Sequence, residues 1–351
     1  MITVGLAGKP NAGKSTLFKA ATLADAEVGN YPFTTIDANR GVAAVRTDCP
    51  CDDNDKIDGR CGNCRGGRRY VPVELIDVAG LVPDAHEGHD PVEDIDFLKN
   101  ELDMWLAGVL RDSWEKLERQ SKTPEFELDE ALVELLSGVG AGERDVRTAL
   151  RSVDPPEKIQ AWSEEDIQEF AREIRRASKP IVVAANKADV APDDNLERLL
   201  ETEHSVPTSA EFELALRKGD DGGYLDYAPG DSGFEVVGEV SDEQREGIER
   251  IRSYVDENSG TGVQEVLNEA VYDLLDTVTV YPVEDETNWT DGSGDVLPDA
   301  HLLPRGSTPR DLAYAIHSDI GDAYHHAVDA RKKQRVSDDT ELEEGDVVKI
   351  V

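Results

Sequence analysis

Apolar positions along the chain follow two rhythms. Short apolar runs, Ile2-Thr3-Val4-Gly5-Leu6-Ala7, Gly41–Arg46, Tyr70–Asp77 and Pro180-Ile181-Val182-Val183-Ala184-Ala185, read as strands, the last of the buried parallel kind. Pro72 suits a strand edge or start. From Pro91 to about Ser178 the rhythm changes to three- and four-residue steps. Ile95, Leu98, Leu102, Trp105, Leu106, Val109, Leu110, Trp114 and Leu117 predict one long amphipathic helix. Phe126 through Leu136 begins a second helical stretch, and Ser163 through Ala177 forms a third. These stripes read as packed helix interfaces, with Trp105 and Trp114 facing a partner helix. After Ala185 comes a short strand at Val206-Pro207-Thr208, a polar region over Glu211–Gly260 and a helix from Thr261 to Leu275. From Thr277 the pattern becomes strand-like again at Val278–Tyr281 and His301–Leu303. A helix with Thr308 as N-cap and Pro309 at its first position follows, then strands near Tyr324–Asp329 and Asp346–Val351. Strands around one helix make a small α+β module.

The first strand runs into Gly8-Lys9-Pro10-Asn11-Ala12-Gly13-Lys14-Ser15-Thr16, a G-x-x-x-x-G-K-S phosphate loop opening a helix. Its glycines let backbone N–H groups turn inward around phosphate oxygens, and the helix adds its positive N-terminal end. Lys14 is expected on the β- and γ-phosphates and Ser15 on Mg²⁺. Thr34 or Thr35, in Asn30-Tyr31-Pro32-Phe33-Thr34-Thr35, stands where a switch loop would complete the Mg²⁺ shell; Thr35 is the metal-ligand candidate. Asp77-Val78-Ala79-Gly80 closes a strand as D-x-x-G, with Asp77 toward Mg²⁺ and the Gly80 N–H toward the γ-phosphate. Leu81 occupies the place of a water-orienting glutamine and cannot do that work. His86 is the candidate to orient water, beside the plainer reading of a solvated loop histidine. Asn186-Lys187-Ala188-Asp189 reads guanine, because the Asp189 carboxylate can accept from N1–H and the exocyclic amine together, a donor pair that adenine lacks. Lys187 would lie over the base, and Ser209-Ala210 would touch it from the other side.

The four cysteines of the chain are Cys49, Cys51, Cys61 and Cys64, spaced C-x-C-x9-C-x2-C between two strands. Four thiolates can close around one Zn²⁺, and a redox switch is the alternative. Acidic residues outnumber basic ones by 75 to 37, for a net charge of −38. They are spread along the chain, a self-repulsion that concentrated salt would screen, so a salt-loving, haloarchaeal cytoplasm is expected. With 38% hydrophobic residues and ordered motifs, an acidic disordered chain is disfavoured. The charge also disfavours tight binding to bare nucleic acid, though a basic local patch is compatible with it. No apolar run approaches a membrane span, and a strand at the N-terminus leaves no signal peptide, so a cytoplasmic protein is expected.

The ordered set GLAGKPNAGKST, NYPFTT, DVAG, NKAD and PTSA, then GSTPRDLAYAIH and the ending GDVVKIV, resembles the YchF branch of the Obg-like translation-factor NTPases. The resemblance implies an α/β P-loop domain with a doubly wound sheet (1–88 and 179–276), an inserted α-helical coiled-coil domain (89–178) and a C-terminal β-grasp TGS domain (277–351). The cysteines (49–64) then form an insert in the P-loop domain. It implies a nucleoside triphosphatase acting with the ribosome or one of its subunits; a monomer is expected, and contact with rRNA or tRNA is compatible with that association. That family carries a hydrophobic residue in place of the glutamine, as at Leu81. Many of its members favour ATP through a degenerate base motif; with Lys187 and Asp189 present, GTP is expected here and ATP is the alternative. A regulator gated by nucleotide with negligible turnover is a further alternative. Related NTPases with an asparagine in the phosphate loop use K⁺, and Asn11 fits that. One departure stands out: the family has a glycine run, a helix and a further strand after D-x-x-G. Here Gly88 runs into His89-Asp90-Pro91, which predicts a sheet with a gap beside Asp77.

Overall fold

The computed structural model describes residues 1–22, 27–29, 38–57, 61–77 and 90–351; of 27–29 and residue 38 only the backbone is considered. Residues 1–7, 11–79 and 182–351 form one compact unit, and 8–10 with 80–181 form another.

In chain order the first unit begins with β1 (Thr3–Leu6), α1 (Lys14–Thr22), β2 (Glu27–Gly29), β3 (Ala38–Asp48), β4 (Cys64–Arg65) and β5 (Arg68–Asp77). The sheet order is β1-β5-β3-β2, with β4 added to β5. β1 and β5 run parallel, Thr3 opposite Glu74 and Leu6 opposite Asp77, so the phosphate loop and Asp77 leave the sheet at the same edge. Pro72 lies inside β5, not at its start. The Glu74 N–H donates to the Ile2 carbonyl, so position 72, two residues earlier, faces the same side before β1 begins. No donor is missed there.

The second unit is helical: α2 (Pro91–Gln120), α3 (Leu128–Ser137), α4 (Glu143–Val153) and α5 (Glu164–Ser178). Asp90 caps α2 by accepting from the Val92 N–H, and Ser163 with Asp166 closes a capping box on α5. The apolar stripes meet in one core: Leu106, Leu110, Leu132, Leu136, Phe170 and Ile174 are fully buried. Trp114 packs on Trp162, which stands edge-on to Phe170. α4 was not anticipated: its Val146 and Ala149 are buried, but Arg147 and Thr148 separate them and charged residues flank the pair. Across the core, Arg175 Nε donates to Asp103 Oδ1 at 2.9 Å, both side chains largely buried.

The chain returns to the first unit with β6 (Val183–Asn186), α6 (Asp193–Leu200), β7 (Ser205–Thr208), α7 (Ala210–Asp221), β8 (Leu225–Asp226), β9 (Glu235–Val236), α8 (Asp242–Asn258) and α9 (Val263–Asn268). β6 and β7 form a separate parallel pair. Among the described residues no strand covers the second edge of β1, and none occurs between 90 and 181. The gap therefore lies on the far side of β1, between it and β6. It does not lie beside Asp77, whose strand is paired on both edges. The two sheets nonetheless share a core, in which Leu17, Phe18, Val71, Val73, Leu75, Ala210, Val263 and Leu267 are buried. α9 also seals β3 beyond the end of β2: the Asn268 side chain accepts from the Arg46 N–H and donates to its carbonyl, and Gln264 donates to the Ala44 carbonyl. Side-chain amides thus stand in for a neighbouring strand. Arg217 of α7 donates to the Ala20 and Ala21 carbonyls, capping the C-terminal end of α1. Beside it Glu213 is buried, accepting from Tyr227 Oη at 2.6 Å and Thr261 Oγ1 at 2.5 Å.

The C-terminal part comprises β10 (Thr277–Val283), β11 (His301–Pro304), α10 (Pro309–Ile316), α11 (Ser318–Asp322), β12 (Ala327–Asp329), β13 (Gln334–Val336) and β14 (Val347–Ile350). Its sheet order is β11-β10-β14-β12-β13, with β10 and β14 parallel. β10 is buried on both faces: Val278 and Val280 pack with Leu312 and Ala313 of α10, while Tyr281 and Val283 face away. Thr308 and Asp311 form the capping box of α10.

Two outcomes follow. Asp103→Ala would leave the Arg175 charge buried without its main partner, and we expect a loss of about 3 kcal/mol in urea unfolding. That loss should persist in molar KCl, since a buried pair is poorly screened; disappearance in salt would show the pair to be solvated. Burial holds the Glu213 carboxyl above the ordinary carboxylate range. The folded chain therefore binds that proton more tightly than the unfolded one, and stability falls as pH rises from the unfolded value through the folded one. Glu213→Gln removes this slope. Urea titrations from about pH 5 to pH 8 should show the variant gaining on the parent as pH rises, and parallel curves would refute the assignment.

Candidate functional site

The site is built at the sheet edge where β1, β5 and β6 end. α1 starts at Lys14, and the Leu17 N–H closes its first turn on the Gly13 carbonyl. The loop before it needs left-handed backbone: Asn11 has φ 62° and Gly13 has φ 92°. At Gly13 a Cβ would also lie 2.3 Å from Asn186 Nδ2, so only glycine fits. Gly8, Lys9 and Pro10 group with the helical unit, where Lys9 pairs with Asp94 of α2 at 2.8 Å.

Ser15 Oγ donates to Asp77 Oδ2 at 3.3 Å. Asp77 is buried, and its Oδ1 has no hydrogen-bond partner among the described residues. A buried carboxylate oxygen left unpaired is costly, and a hydroxyl with a carboxylate is the hard-oxygen set that Mg²⁺ prefers. These residues fit that ion: Ser15 and Asp77 would hold it, and it would neutralise phosphate charge beside Lys14.

Strand β6 delivers the second half. The Asn186 side chain donates to the Ala12 carbonyl at 3.0 Å and accepts from the Ala210 N–H at 3.1 Å. Lys187, with φ 67°, donates from Nζ to the Asn11 carbonyl at 2.8 Å. The Asp189 carboxylate is half-buried and makes no hydrogen bond to the described residues. Ser209 is buried, and its hydroxyl caps α7 by accepting from the Phe212 N–H. The Ser209 N–H donates to the Thr261 carbonyl, and the Ala188 N–H to the Thr208 carbonyl. Ser209 and Ala210 therefore brace Asn186 and the Asp189 turn. The close approach behind them depends on Gly262 (φ 81°), where a Cβ would lie 2.0 Å from the Pro207 carbonyl oxygen. Thr16 is half-buried on α1. Thr34, Thr35, Gly80, Leu81 and His86 lie outside the described residues.

The four thiols come together away from this edge. Cys49 and Cys61 are buried with sulfurs 3.8 Å apart, Cys51 and Cys64 are half-buried at 3.7 Å, and all four sulfurs lie within 4.8 Å of one another. None is in a disulfide. Burial pushes the Cys51 thiol up to about 12 and Cys49 higher still. What the sequence pattern did not reveal is their setting. With Ile57 they pack against Tyr281 and Val283 of β10 and against Trp289, Val296 and Leu297 of the connection to β11. The support that Arg217, Gln264 and Asn268 give was likewise hidden, because such polar residues on helices carry no local signature.

Comparison with known proteins agrees with this geometry. Residues 3–136 match the 50S ribosome-binding GTPase family. Residues 184–285 match the Obg-like GTPase YGR210-like G4 motif-containing domain, and 294–351 match the TGS domain. A GTP-binding protein of Methanocaldococcus jannaschii is 42% identical across 100% of this chain and 99% of its own length. That alignment spans 395 positions against 351 residues here, so at least 44 of them face a gap in this chain. That is room enough for a helix and a strand of the kind that the described residues lack beside β1. The crystal structure of a GTP-binding protein from Pyrococcus horikoshii is 38% identical with a TM-score of 0.80, covering 100% of this chain and 99% of that one. The ribosome-binding ATPase YchF of Mycoplasma pneumoniae is 25% identical over 65% of this chain and 71% of its own. No described helix is long and apolar enough to cross a membrane. The chain belongs to the YchF/Obg-like family of P-loop GTPases, with a P-loop GTPase fold and a C-terminal TGS domain.

Proposed function

We propose that this protein is a Mg²⁺-dependent GTPase that serves as a nucleotide switch on the translation machinery. The observation that carries the reading is the lacing of Asn186 and Lys187 onto the Ala12 and Asn11 carbonyls. It fixes the base-reading turn against the phosphate loop and leaves the Asp189 carboxylate for a guanine edge. Ser15 and Asp77 would hold Mg²⁺ against the β- and γ-phosphates, with Lys14 supplying the fixed positive charge. Thr35 and the Gly80 N–H would sense the γ-phosphate, and His86 would orient water. Ribosome association is supported by the match to ribosome-binding GTPases and by the name of the Mycoplasma relative. The acidic chain would work as a cytoplasmic monomer, its contact with rRNA or tRNA confined to a local surface. Leu81 and the strand gap beside β1 favour a second reading, a binder with slow turnover.

Calorimetric titration of GTP and ATP, in molar KCl with Mg²⁺, tests base choice. GTP should bind more tightly than ATP. Asp189→Asn should weaken GTP about 30- to 100-fold, the value of a charge-assisted pair of hydrogen bonds, and leave ATP unchanged. A preference of the parent protein for ATP would overturn the assignment of Asp189. Multiple-turnover phosphate release, with and without ribosomes, tests the switch. We expect release to be stimulated by ribosomes, faster in KCl than in NaCl, and to lose its K⁺ dependence in Asn11→Ala. No release above background in any condition would establish the slow-turnover reading instead.

A further inference from the structure

We propose that Cys49, Cys51, Cys61 and Cys64 hold one Zn²⁺ as a tetrathiolate, and that this ion fastens the loop between β3 and β5 to the C-terminal sheet. The inference is independent of the nucleotide reading. Bonds of 2.3 Å at tetrahedral angles set sulfurs about 3.8 Å apart. The observed pairs stand at 3.8 and 3.7 Å, and all four sulfurs fall within 4.8 Å.

The loop is shaped to bring the ligands together. Gly66 and Gly67, with φ 57° and 75°, form the two-residue turn between β4 and β5, a type that needs left-handed backbone at both positions. This turn presents Cys64. The Cys49 N–H donates to the Gly67 carbonyl at 2.8 Å, which places the first cysteine beside the last.

Loading would release four thiol protons and leave a site of net charge 2−, which a nearby cation would stabilise. Arg69 supplies one. It is directly opposite Cys64 in the β4–β5 pair, hence on the same face of the ribbon. It is 4% exposed, and its Nη1 has no hydrogen-bond partner among the described residues. A buried guanidinium short of an acceptor, on the strand position opposite Cys64, is a charge that a thiolate cluster would complement.

The surroundings assign the role. Arg69 Nη2 donates to the Pro298 carbonyl at 2.9 Å, and its guanidinium lies 5.8 Å from the centre of the Tyr281 ring. Asn54 donates to the Thr287 carbonyl, and Asn63 to the Leu297 and Pro298 carbonyls. Arg331 pairs with Asp53 at 2.8 Å. Ile57 is fully buried in the core that the loop shares with the C-terminal sheet. Ordering a loop with so little regular structure costs conformational entropy, and a crosslinking ion would offset that cost.

The test uses the full chain purified under reducing conditions. Metal analysis should find about one zinc per chain, falling at least tenfold in the Cys51→Ser/Cys64→Ser double variant. Because that variant can misfold, chelator-stripped parent protein is titrated with Co²⁺. A thiolate-to-cobalt charge-transfer band with tetrahedral d–d absorption should saturate at one equivalent and vanish on adding Zn²⁺. Hydrogen exchange with and without metal reads the fastening. Stripping should raise exchange in Cys49–Cys64 and, together with it, in β10 and the segment 289–298. No zinc and no cobalt spectrum would overturn the site, as would a mass showing intact disulfides. Faster exchange confined to 49–64 would overturn the fastening.

Discussion

The two halves of the nucleotide site are held in register by two neighbouring side chains, Asn186 and Lys187. Asn186 bridges the Ala12 carbonyl of the phosphate loop and the Ala210 N–H at the start of α7. In a continuous parallel sheet, ladder hydrogen bonds would align β1 with β6. Here no described strand lies between them, and the alignment passes to Asn186 and Lys187. Magnitudes separate alignment from cohesion. Each of these hydrogen bonds contributes about 1 kcal/mol net, somewhat more for the lysine. Each buried side chain of the shared core, such as Leu17, Phe18, Val263 or Leu267, contributes about 2 kcal/mol. The core under α1, α7 and α9 keeps the sheets together, and Asn186 with Lys187 decides how they face. The cost of the gap shows in β1, whose residues alternate between exposed and half-buried where a central parallel strand would be covered on both faces.

Charge acts on a different scale. With a net charge of −38, repulsion spreads over the whole surface. Most ion pairs, such as Arg65 with Asp220 and Asp226 or Arg147 with Glu143, are exposed and weaken in the salt that relieves the repulsion. The protected polar contacts therefore matter most. In the helical unit that contact is Arg175 with Asp103, and behind the turn that follows β6 it is Glu213 with Tyr227 and Thr261. Each joins segments distant in sequence, and neither depends on the solvent to be felt.

What could be read from the sequence was what is local. The strand, turn and helix around Gly8–Thr16 and the strand ends at Asp77 and Asn186 come from runs of neighbours, and the structure forms those elements there. The long helix, the helical stretch from Ser163 and the N-cap at Thr308 were readable for the same reason. Pro72 shows the limit: its tolerance depends on where β1 begins relative to β5, a matter of register between strands some seventy residues apart. The gap was foreseen from a missing stretch but assigned to the wrong side of β1, since strand order is fixed by tertiary pairing. α4 escaped because burial of Val146 and Ala149 is set by the helices around it. The docking of the cysteine loop escaped most completely. Its partners, Tyr281, Trp289 and Leu297, lie more than two hundred residues away.

Strand β5 then links features that the sequence presents separately. It carries Arg69 beside the thiols near one end, Val71, Val73 and Leu75 in the core, and Asp77 at the phosphate edge. The span from Arg69 to Asp77 is roughly 26 Å of extended chain. It is paired with β3 along its whole length, from Arg68 opposite Asp48 to Asp77 opposite Asn39, and with β1 over its last four residues. A slip of one residue would turn Val71, Val73 and Leu75 outward and expose Arg69's neighbours to the core, so β5 cannot slide. Asp77 is therefore a fixed post with respect to the cysteine loop and the C-terminal sheet. The γ-phosphate response of the proposed switch would then arise in segments other than β5.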